Sequence, residues 1–103
     1  MIHSEHFNDA NGNPAGGTTF GRGFAIGWQN GPLGRGADRK EPNGAFVEDI
    51  IKAAIDRIDY YQASQFASDY NARARDHLAL ALAALEERTA DREKRDVEGT
   101  HAQ

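Results

Sequence analysis

The sequence predicts an α+β fold in which a small N-terminal antiparallel β-element precedes a long antiparallel hairpin of two helices. It also predicts that the protein oligomerises through the second helix. Three patterns in the 103-residue chain predict it. Large and small side chains alternate over 20–29, apolar side chains recur at helical spacing over 45–62, and a second helical stretch over 65–95 is apolar on every side at its centre. A chain of this length forms one domain, which we place at 20–101.

Residues 1–19 are polar and rich in glycine and asparagine, so little of this stretch can enter a core. We expect a mobile arm there. Residues 20–29 alternate with a period of two, which is typical of a strand. The larger side chains on one side of this predicted strand are Phe20, Arg22, Phe24, Ile26 and Trp28.

A basic, glycine-rich loop over 30–44 connects the strand to the first helix, which is predicted over 45–62. Asn43 or Gly44 is the expected opening residue of that helix. Apolar residues at helical spacing form its buried stripe. They are Val47, Ile50, Ile51, Ala54, Ile55, Ile58 and Tyr61.

The second helix is predicted over 65–95, with Ser64 as its N-cap. Its centre, 78–85, is apolar on every side, and one partner helix cannot cover such a surface. We therefore expect an oligomer packed through this helix. A tail over 96–103 follows, in which Gly99 suits a chain reversal. The predicted buried stripe of the second helix is Phe66, Tyr70, Ala74, His77, Leu78, Ala81, Leu82 and Leu85.

Composition argues against several classes of function. The formal net charge of -4 disfavours nonspecific binding to DNA or RNA, which needs a basic face, but it permits a small anion in a local basic pocket. The chain has no cysteine, and no apolar run is long enough to cross a bilayer. The N-terminal residues lack the basic region and apolar core of a signal peptide, so we expect a cytoplasmic protein.

An arginine stripe is the first candidate binding feature. Arg88, Arg92 and Arg95 are spaced four and three residues apart and share one helical face. Guanidinium forks match phosphate oxygens through two parallel hydrogen bonds, which would offset the mutual repulsion of the three charges. The alternative is a solvated face that neighbouring carboxylates neutralise.

An aromatic and amide set near the hairpin bend is the second candidate. Aromatic rings stack on purines, and asparagine can bond the edge of adenine through two hydrogen bonds. The alternative is that the rings cap the hairpin core, and Trp28 on the strand is either core or a stacking wall. The members of the set at the bend are Tyr60, Tyr61, Phe66, Tyr70 and Asn71.

Catalysis and metal binding find no support in the sequence. His77 lies on the apolar stripe, no His, Asp and Glu set has metal-ligand spacing, and no nucleophile elbow is present. We therefore expect a non-enzymatic protein without a cofactor.

Asn71 and Arg88 lie seventeen positions apart on one helix, a rise of about 25 Å. If both sets bind one small ligand, an antiparallel neighbour must bring them together, and the sites lie between subunits.

Several motifs over about 24–101 resemble the phage Thoeris anti-defence sponges. The C-terminal run Arg88-Thr89-Ala90-Asp91-Arg92-Glu93-Lys94-Arg95-Asp96-Val97-Glu98-Gly99-Thr100-His101 is the most specific of them. The other matching segments are Ile26-Gly27-Trp28-Gln29-Asn30-Gly31-Pro32, Asn43-Gly44-Ala45-Phe46-Val47-Glu48-Asp49-Ile50-Ile51, Tyr60-Tyr61-Gln62, Phe66-Ala67 and Asn71-Ala72.

The resemblance implies a fold related to the anti-CBASS cyclic-nucleotide sponges. It also implies binding, without cleavage, of glycocyclic ADP-ribose signals made by TIR-domain enzymes. Hexameric members of the family bind cyclic di- or trinucleotides at a separate site. The implied partners are a nucleotide second messenger and further copies of the chain in a dimer or hexamer, with no DNA, RNA or membrane, in the cytoplasm of the infected host.

The ligand-binding residues implied by the resemblance are an aromatic, an asparagine and two arginines, which correspond to Tyr61, Asn71, Arg88 and Arg92. Further expected contacts come from the strand, the basic loop and the tail. They are Phe24, Trp28, Thr100, His101 and either Arg35 or Arg39.

The chain departs from the family pattern at 68–70, at Asp96, where a glycine is usual, and in the alanine-leucine run of the second helix. Two other functions remain open from the residues. One is an enzyme that opens cyclic nucleotides with His77 or His101 as base, and the other is a helical-hairpin interaction protein with no small ligand.

Overall fold

A computed structural model describes residues 1–102 and confirms the α+β fold, with three antiparallel strands ahead of two helices. Its elements are β1 (Ile2–Asn8), β2 (Pro14–Gly21), β3 (Phe24–Asn30), a short 3-10 helix (Gly36–Asp38), α1 (Val47–Gln62) and α2 (Asp69–Lys94). The chain divides into two compact units, which are described separately below. The first contains Met1–Phe46 and the chain from Arg92 onward, and the second is Val47–Asp91.

The three strands of the first unit form an antiparallel sheet in the order β1-β2-β3. The expectation of an arm without regular structure over 1–19 was wrong, because β1 and most of β2 lie there. The polar Gly/Asn stretch is the turn between them. The Asp9 carboxylate accepts the Asn11 and Asn13 backbone N–H groups at 2.9 and 3.0 Å, and these bonds, that from Asn13 first, lower its pKa.

The single strand predicted over 20–29 is also corrected. Its alternation passes through the β2–β3 turn, where Gly23 has a φ of 87°. Phe20 therefore lies on β2, opposite Ala25, with its ring stacked on His3 at 5.3 Å between centroids. It does not share the face of Phe24, Ile26 and Trp28.

Thr19 on β2 is the one buried residue within the described chain, with 9% of its surface exposed. Its hydroxyl oxygen accepts the Trp28 indole N–H at 2.8 Å and lies 3.0 Å from the Ser4 hydroxyl oxygen, so it joins all three strands. This bond fixes the orientation of the indole on the sheet.

The end of the loop before α1 returns to β3. The Asn43 side chain pairs with the backbone N–H and carbonyl of Asn30 at 2.8 and 3.0 Å. Ala45 donates to the Gly27 carbonyl and accepts from the Gln29 N–H. Ala45 therefore forms a parallel bridge with Trp28 of β3. The expectation that Asn43 or Gly44 opens the first helix was wrong, because α1 begins at Val47.

In the second unit, α1 and α2 form an antiparallel hairpin. The Arg75 guanidinium donates to the Asp59 carboxylate at 2.9 Å, and Arg88 lies 3.8 Å from Glu48. The apolar stripe of α1 is confirmed from Ile50 to Ile58, although its two end members, Val47 and Tyr61, are exposed. The confirmed, half-buried members are Ile50, Ile51, Ala54, Ile55 and Ile58.

Ser68, and not Ser64, is the N-cap of α2. Its hydroxyl accepts the Asn71 backbone N–H at 3.1 Å, three positions into the helix. The Gln62 amide closes the loop by accepting from the Ser68 N–H at 2.9 Å and donating to the Ser68 carbonyl at 3.1 Å. Ser64 instead caps a local turn, donating to the Tyr61 carbonyl at 2.6 Å.

The predicted buried stripe of α2 is confirmed for Leu78, Leu82 and Leu85, which are half-buried. It is wrong for the other five members, which are exposed, namely Phe66, Tyr70, Ala74, His77 and Ala81. The apolar centre fixes no phase, and Arg75, which pairs with Asp59 of α1, lies on the face that α2 turns toward α1. No apolar side chain in residues 1–102 is fully buried, and Leu80 is 68% exposed.

A Schellman turn ends α2. The Val97 N–H donates to the Arg92 carbonyl and the Asp96 N–H to the Glu93 carbonyl, at 2.9 and 3.0 Å. Asp96 occupies the left-handed position with a φ of 59°. The predicted reversal at Gly99 also has a positive φ, but it comes after this turn.

Neither α1 nor α2 has an apolar stretch that would span a bilayer.

Candidate ligand-binding residues

Asn71 and Tyr61 lie at the hairpin bend of the second unit. The Asn71 side-chain N–H donates to the Phe66 carbonyl at 3.2 Å, while its backbone N–H is held by Ser68. One bond therefore holds the side-chain amide and the other holds the backbone of Asn71. The Tyr61 ring is 37% exposed and the Phe66 ring 67% exposed, so apolar surface beside the amide is open to solvent.

Arg57 is a neighbour of this set that the sequence analysis missed. Its guanidinium carbon lies 4.8 Å from the Tyr60 ring centroid and 4.9 Å from that of Tyr61. Hydrogen bonding to Tyr61 raises the pKa of Arg57. The spacings of three and four residues on one helix are the sequence signal for these contacts.

A second exposed pairing of arginine and tyrosine stands at the start of α2. Arg73 lies 5.2 Å from the Tyr70 ring centroid, and Tyr70 is 76% exposed. An open groove of about 610 Å³ runs beside it, lined by Ser68, Asp69, Tyr70, Ala72 and Arg73. The bend thus presents cations and aromatic faces together, which suits stacking of a flat ring.

Arg88 lies far from the bend on the same helix. Its side chain is 60% exposed, and its 3.8 Å pairing with Glu48 is a surface ion pair of small energy. Because α2 is continuous from Asp69 to Lys94, one chain does not bring Arg88 and Asn71 together.

Arg92 belongs to the first unit, where it holds the C-terminal tail. Its guanidinium donates to the carbonyl oxygens of Val97, Thr100 and Ala102 at 3.1, 2.9 and 2.6 Å. The Thr100 hydroxyl donates to the Val97 carbonyl and accepts the Ala102 N–H. Arg92 and Thr100 are therefore joined, as part of one tail network.

The basic loop closes on the same tail through Glu98. Arg39 donates to the Glu98 carboxylate at 2.6 Å, and Arg35 donates to the Glu98 carbonyl at 2.9 Å. Hydrogen bonding to Arg39 lowers the pKa of Glu98. Gly34 completes the contact, since its N–H donates to the Gly99 carbonyl at 2.8 Å.

Phe24 and Trp28 share a face of the sheet, Phe24 being 43% exposed and Trp28 half-buried. His101 is exposed at the end of the tail. The expected ligand residues thus fall into separate groups. Arg35, Arg92 and Thr100 share the tail network, and Tyr61 and Asn71 share the bend.

Residues 22–90 match the family described as "Acb2/Tad1, hairpin domain". The chain belongs to this hairpin family. A curated relative, "Thoeris anti-defense 1" of Bacillus phage SBSphiJ7, is 49% identical over 59 residues. The alignment covers 57% of this chain and 42% of the relative, so the chain matches about two-fifths of that protein's length.

The Acb2/Tad1 hairpin match contains the bend, the Arg57–tyrosine cluster and Arg88. It ends before Arg92 and the tail. In the described residues of this family member, no group of three His, Asp or Glu side chains is arranged to hold a metal ion.

Proposed function

We propose that this chain is a phage anti-defence protein that binds a nucleotide immune signal and withholds it from its receptor without cleaving it. The ligand class is glycocyclic ADP-ribose made by TIR enzymes, with cyclic di- or trinucleotides as further ligands. The protein acts in the cytoplasm of the infected bacterium. Its membership of the Acb2/Tad1 hairpin family, with a relative named for Thoeris anti-defence, is the observation that carries this proposal.

The chemistry of the exposed side chains supports a nucleotide ligand. The bend offers the rings of Tyr61 and Phe66 beside the fixed amide of Asn71, a combination that can stack on and bond an adenine. Arg88, exposed and weakly paired, provides permanent positive charge for a phosphate.

Because one helix separates these two groups, the proposed site forms between subunits of a dimer or hexamer. An antiparallel copy would bring its Arg88 to the bend of its neighbour. The absence of any fully buried apolar side chain in residues 1–102 favours such an assembly, since a chain of this size needs more apolar burial than the structure of one copy provides.

The residues around the proposed ligand favour storage over turnover. A cyclic-nucleotide-opening enzyme needs a positioned general base within hydrogen-bond reach of its substrate. His77 and His101, the two histidines considered for that role, are both exposed and lie on different units. We infer that a bound signal leaves chemically intact.

The test is to mix the protein with the product of a TIR enzyme, remove unbound material, and heat the complex. Intact signal that reactivates its receptor is the expected product, whereas a linearised nucleotide would indicate an enzyme. Arg88→Ala should abolish capture. Arg22→Ala, which removes an exposed arginine from the β2–β3 turn, is the matched control and should retain it.

An interaction protein without a small ligand is the second candidate. The exposed apolar surface of α2, with Leu80 68% exposed, could bind another protein as well as a second copy of this chain. A thermal shift across a nucleotide panel separates the two functions. A ligand at a hundredfold excess over its Kd adds about 2.7 kcal/mol to the free energy of unfolding, whereas an interaction protein shows no shift.

A further inference from the structure

The C-terminal tail occupies the guanidinium group expected to bind phosphate. We propose that residues 100–102 are a built-in latch that competes with an anionic ligand for Arg92. These residues must leave the Arg92 guanidinium before a phosphate can bind it in a bidentate manner. The inference rests on the proposed function, because it concerns how the same arginine is made available. It adds an autoinhibitory contact to that function.

The hydrogen-bond geometry at Arg92 carries the argument. Both hydrogens of Nη2 are directed at tail carbonyls, those of Val97 and Thr100, and Nη1 donates to the Ala102 carbonyl at 2.6 Å. A guanidinium forms a fork through Nη1 with Nη2 or through Nε with Nη2. Each fork needs one Nη2 hydrogen, so neither is open while the tail is seated.

The Val97 carbonyl is not the contact that opens. Val97 belongs to the Schellman turn, where its N–H donates to the Arg92 carbonyl at 2.9 Å. The Thr100 and Ala102 carbonyls lie farther along the chain, and Ala102 is exposed. Their seating depends on the Thr100 hydroxyl, which accepts the Ala102 N–H at 3.1 Å. The movable part of the latch is therefore 100–102.

The rest of the tail stays attached when this part opens. Glu98 is held by Arg39 at 2.6 Å and through its carbonyl by Arg35 at 2.9 Å, and Gly99 accepts the Gly34 N–H. These contacts lie before residue 100, so opening the latch costs Arg92 two carbonyl contacts, those of Thr100 and Ala102. Neutral carbonyl oxygens bind a guanidinium less strongly than phosphate oxygens do, so an anion can displace them.

Thr100→Val tests the latch, because it removes the hydroxyl and keeps the shape of the side chain. Inorganic pyrophosphate is the first probe, and glycocyclic ADP-ribose from a TIR enzyme is the second. The seated tail then lacks the two hydrogen bonds of this hydroxyl, to the Val97 carbonyl and from the Ala102 N–H, so both probes should bind at least about fivefold more tightly. Thr89→Val is the matched control, since the Thr89 hydroxyl donates to the Leu85 carbonyl within α2, and this variant should bind as the unmodified chain does.

NMR of the 100–102 amides gives an independent measure of the latch. The Arg92→Lys variant lacks the guanidinium and gives the chemical shifts of the released tail. Adding pyrophosphate to the unmodified chain should move the 100–102 signals toward those shifts. Weaker binding by Thr100→Val, unchanged binding, or slower amide exchange at 100–102 on ligand addition would each overturn the latch and make the tail a closing lid or a passive segment.

The two probes separate failure of the latch from failure of the proposed function. If pyrophosphate opens the tail and the nucleotide does not bind any variant, the latch stands as an anion switch and the sequestering function falls. If the nucleotide binds and the tail signals do not move, the latch falls and sequestration stands.

Discussion

Asp96 holds a backbone conformation that L-residues avoid. It is the one non-glycine residue with a positive φ in the described chain, and it occupies the left-handed position that closes the Schellman turn after α2. Its carboxylate pairs with Arg35 at 3.5 Å, but Asp96 is 88% exposed in that pair, so the ion pair offsets little of the strain.

Replacing Asp96 with glycine should therefore stabilise the chain. Relief of left-handed strain gives about 1–2 kcal/mol, and the greater freedom of glycine in the unfolded chain returns about 0.5–1 kcal/mol. We expect Asp96→Gly to raise the free energy of unfolding by about 1 kcal/mol in urea denaturation. Asp96→Ala is the control, and equal stability of the two variants would contradict the argument.

Glu98 makes the tail sensitive to acid. Its pKa is lowered below the usual 4.5, first by the hydrogen bond from Arg39. A depressed carboxyl pKa stabilises the folded state fully above the unfolded pKa, and that stabilisation is lost as the pH falls through the folded pKa.

We therefore expect the Gly34 amide, which donates to the Gly99 carbonyl, to keep its NMR shift above a pH of about 4.5 and to lose it on further acidification. Glu98→Gln should show the loosened shift at neutral pH, with no acid transition of its own. A pH-independent signal in the unmodified chain would refute a role for this carboxylate.

At the scale of elements, the N-terminus of α2 depends on one hydroxyl. Ser68 satisfies the Asn71 N–H, and the Gln62 amide holds Ser68 in place from α1. Because Asn71 is an expected ligand residue, the cap also positions part of the proposed site.

Ser68→Ala should lower the free energy of unfolding by about 1 kcal/mol. Ser64→Ala is the matched control, because Ser64 serves only a local turn and should cost less. Thermal denaturation of the two variants decides between the caps. A larger loss of unfolding free energy for Ser64→Ala would instead identify Ser64, the residue predicted from the sequence, as the N-cap.

Sequence patterns predicted the elements better where the period was distinctive. The stripe of α1 has isoleucines on one face only, and its phase was predicted correctly from Ile50 to Ile58. The centre of α2 is apolar all round, so no local pattern reveals which face it turns toward α1. The contact of Arg75 with Asp59 across the hairpin marks that face. The alternation that passed through Gly23 hid a turn, because glycine fits both a strand and a turn.

The candidate site was less predictable than the fold. The charge of Arg92 suggested phosphate, but its observed partners are backbone carbonyls of the tail, and every residue carries such a carbonyl. The Arg57 contacts with Tyr60 and Tyr61 follow from their spacing of three and four positions on one helix, a pattern that also occurs between residues that do not touch. The roles of Tyr61, Asn71 and Arg88 stay predictions.

At the scale of the whole molecule, the central question is what covers the apolar surface. No apolar side chain in residues 1–102 is fully buried, and Leu80 and Tyr70 on α2 are 68% and 76% exposed. Burying a leucine fully is worth about 1.5–3 kcal/mol, so self-association through α2 would provide stability that one copy lacks.

Leu80→Glu should therefore shift the protein toward the monomer and lower its stability in proportion to protein concentration. Light scattering after gel filtration, over a hundredfold range of concentration, measures the shift. Glu87→Leu, on an exposed position farther along α2, is the control that changes polarity in the opposite sense and should leave assembly intact. If the unmodified chain is monomeric throughout this range, sites shared between subunits are excluded. The nucleotide would then have to bind at the bend alone, without Arg88.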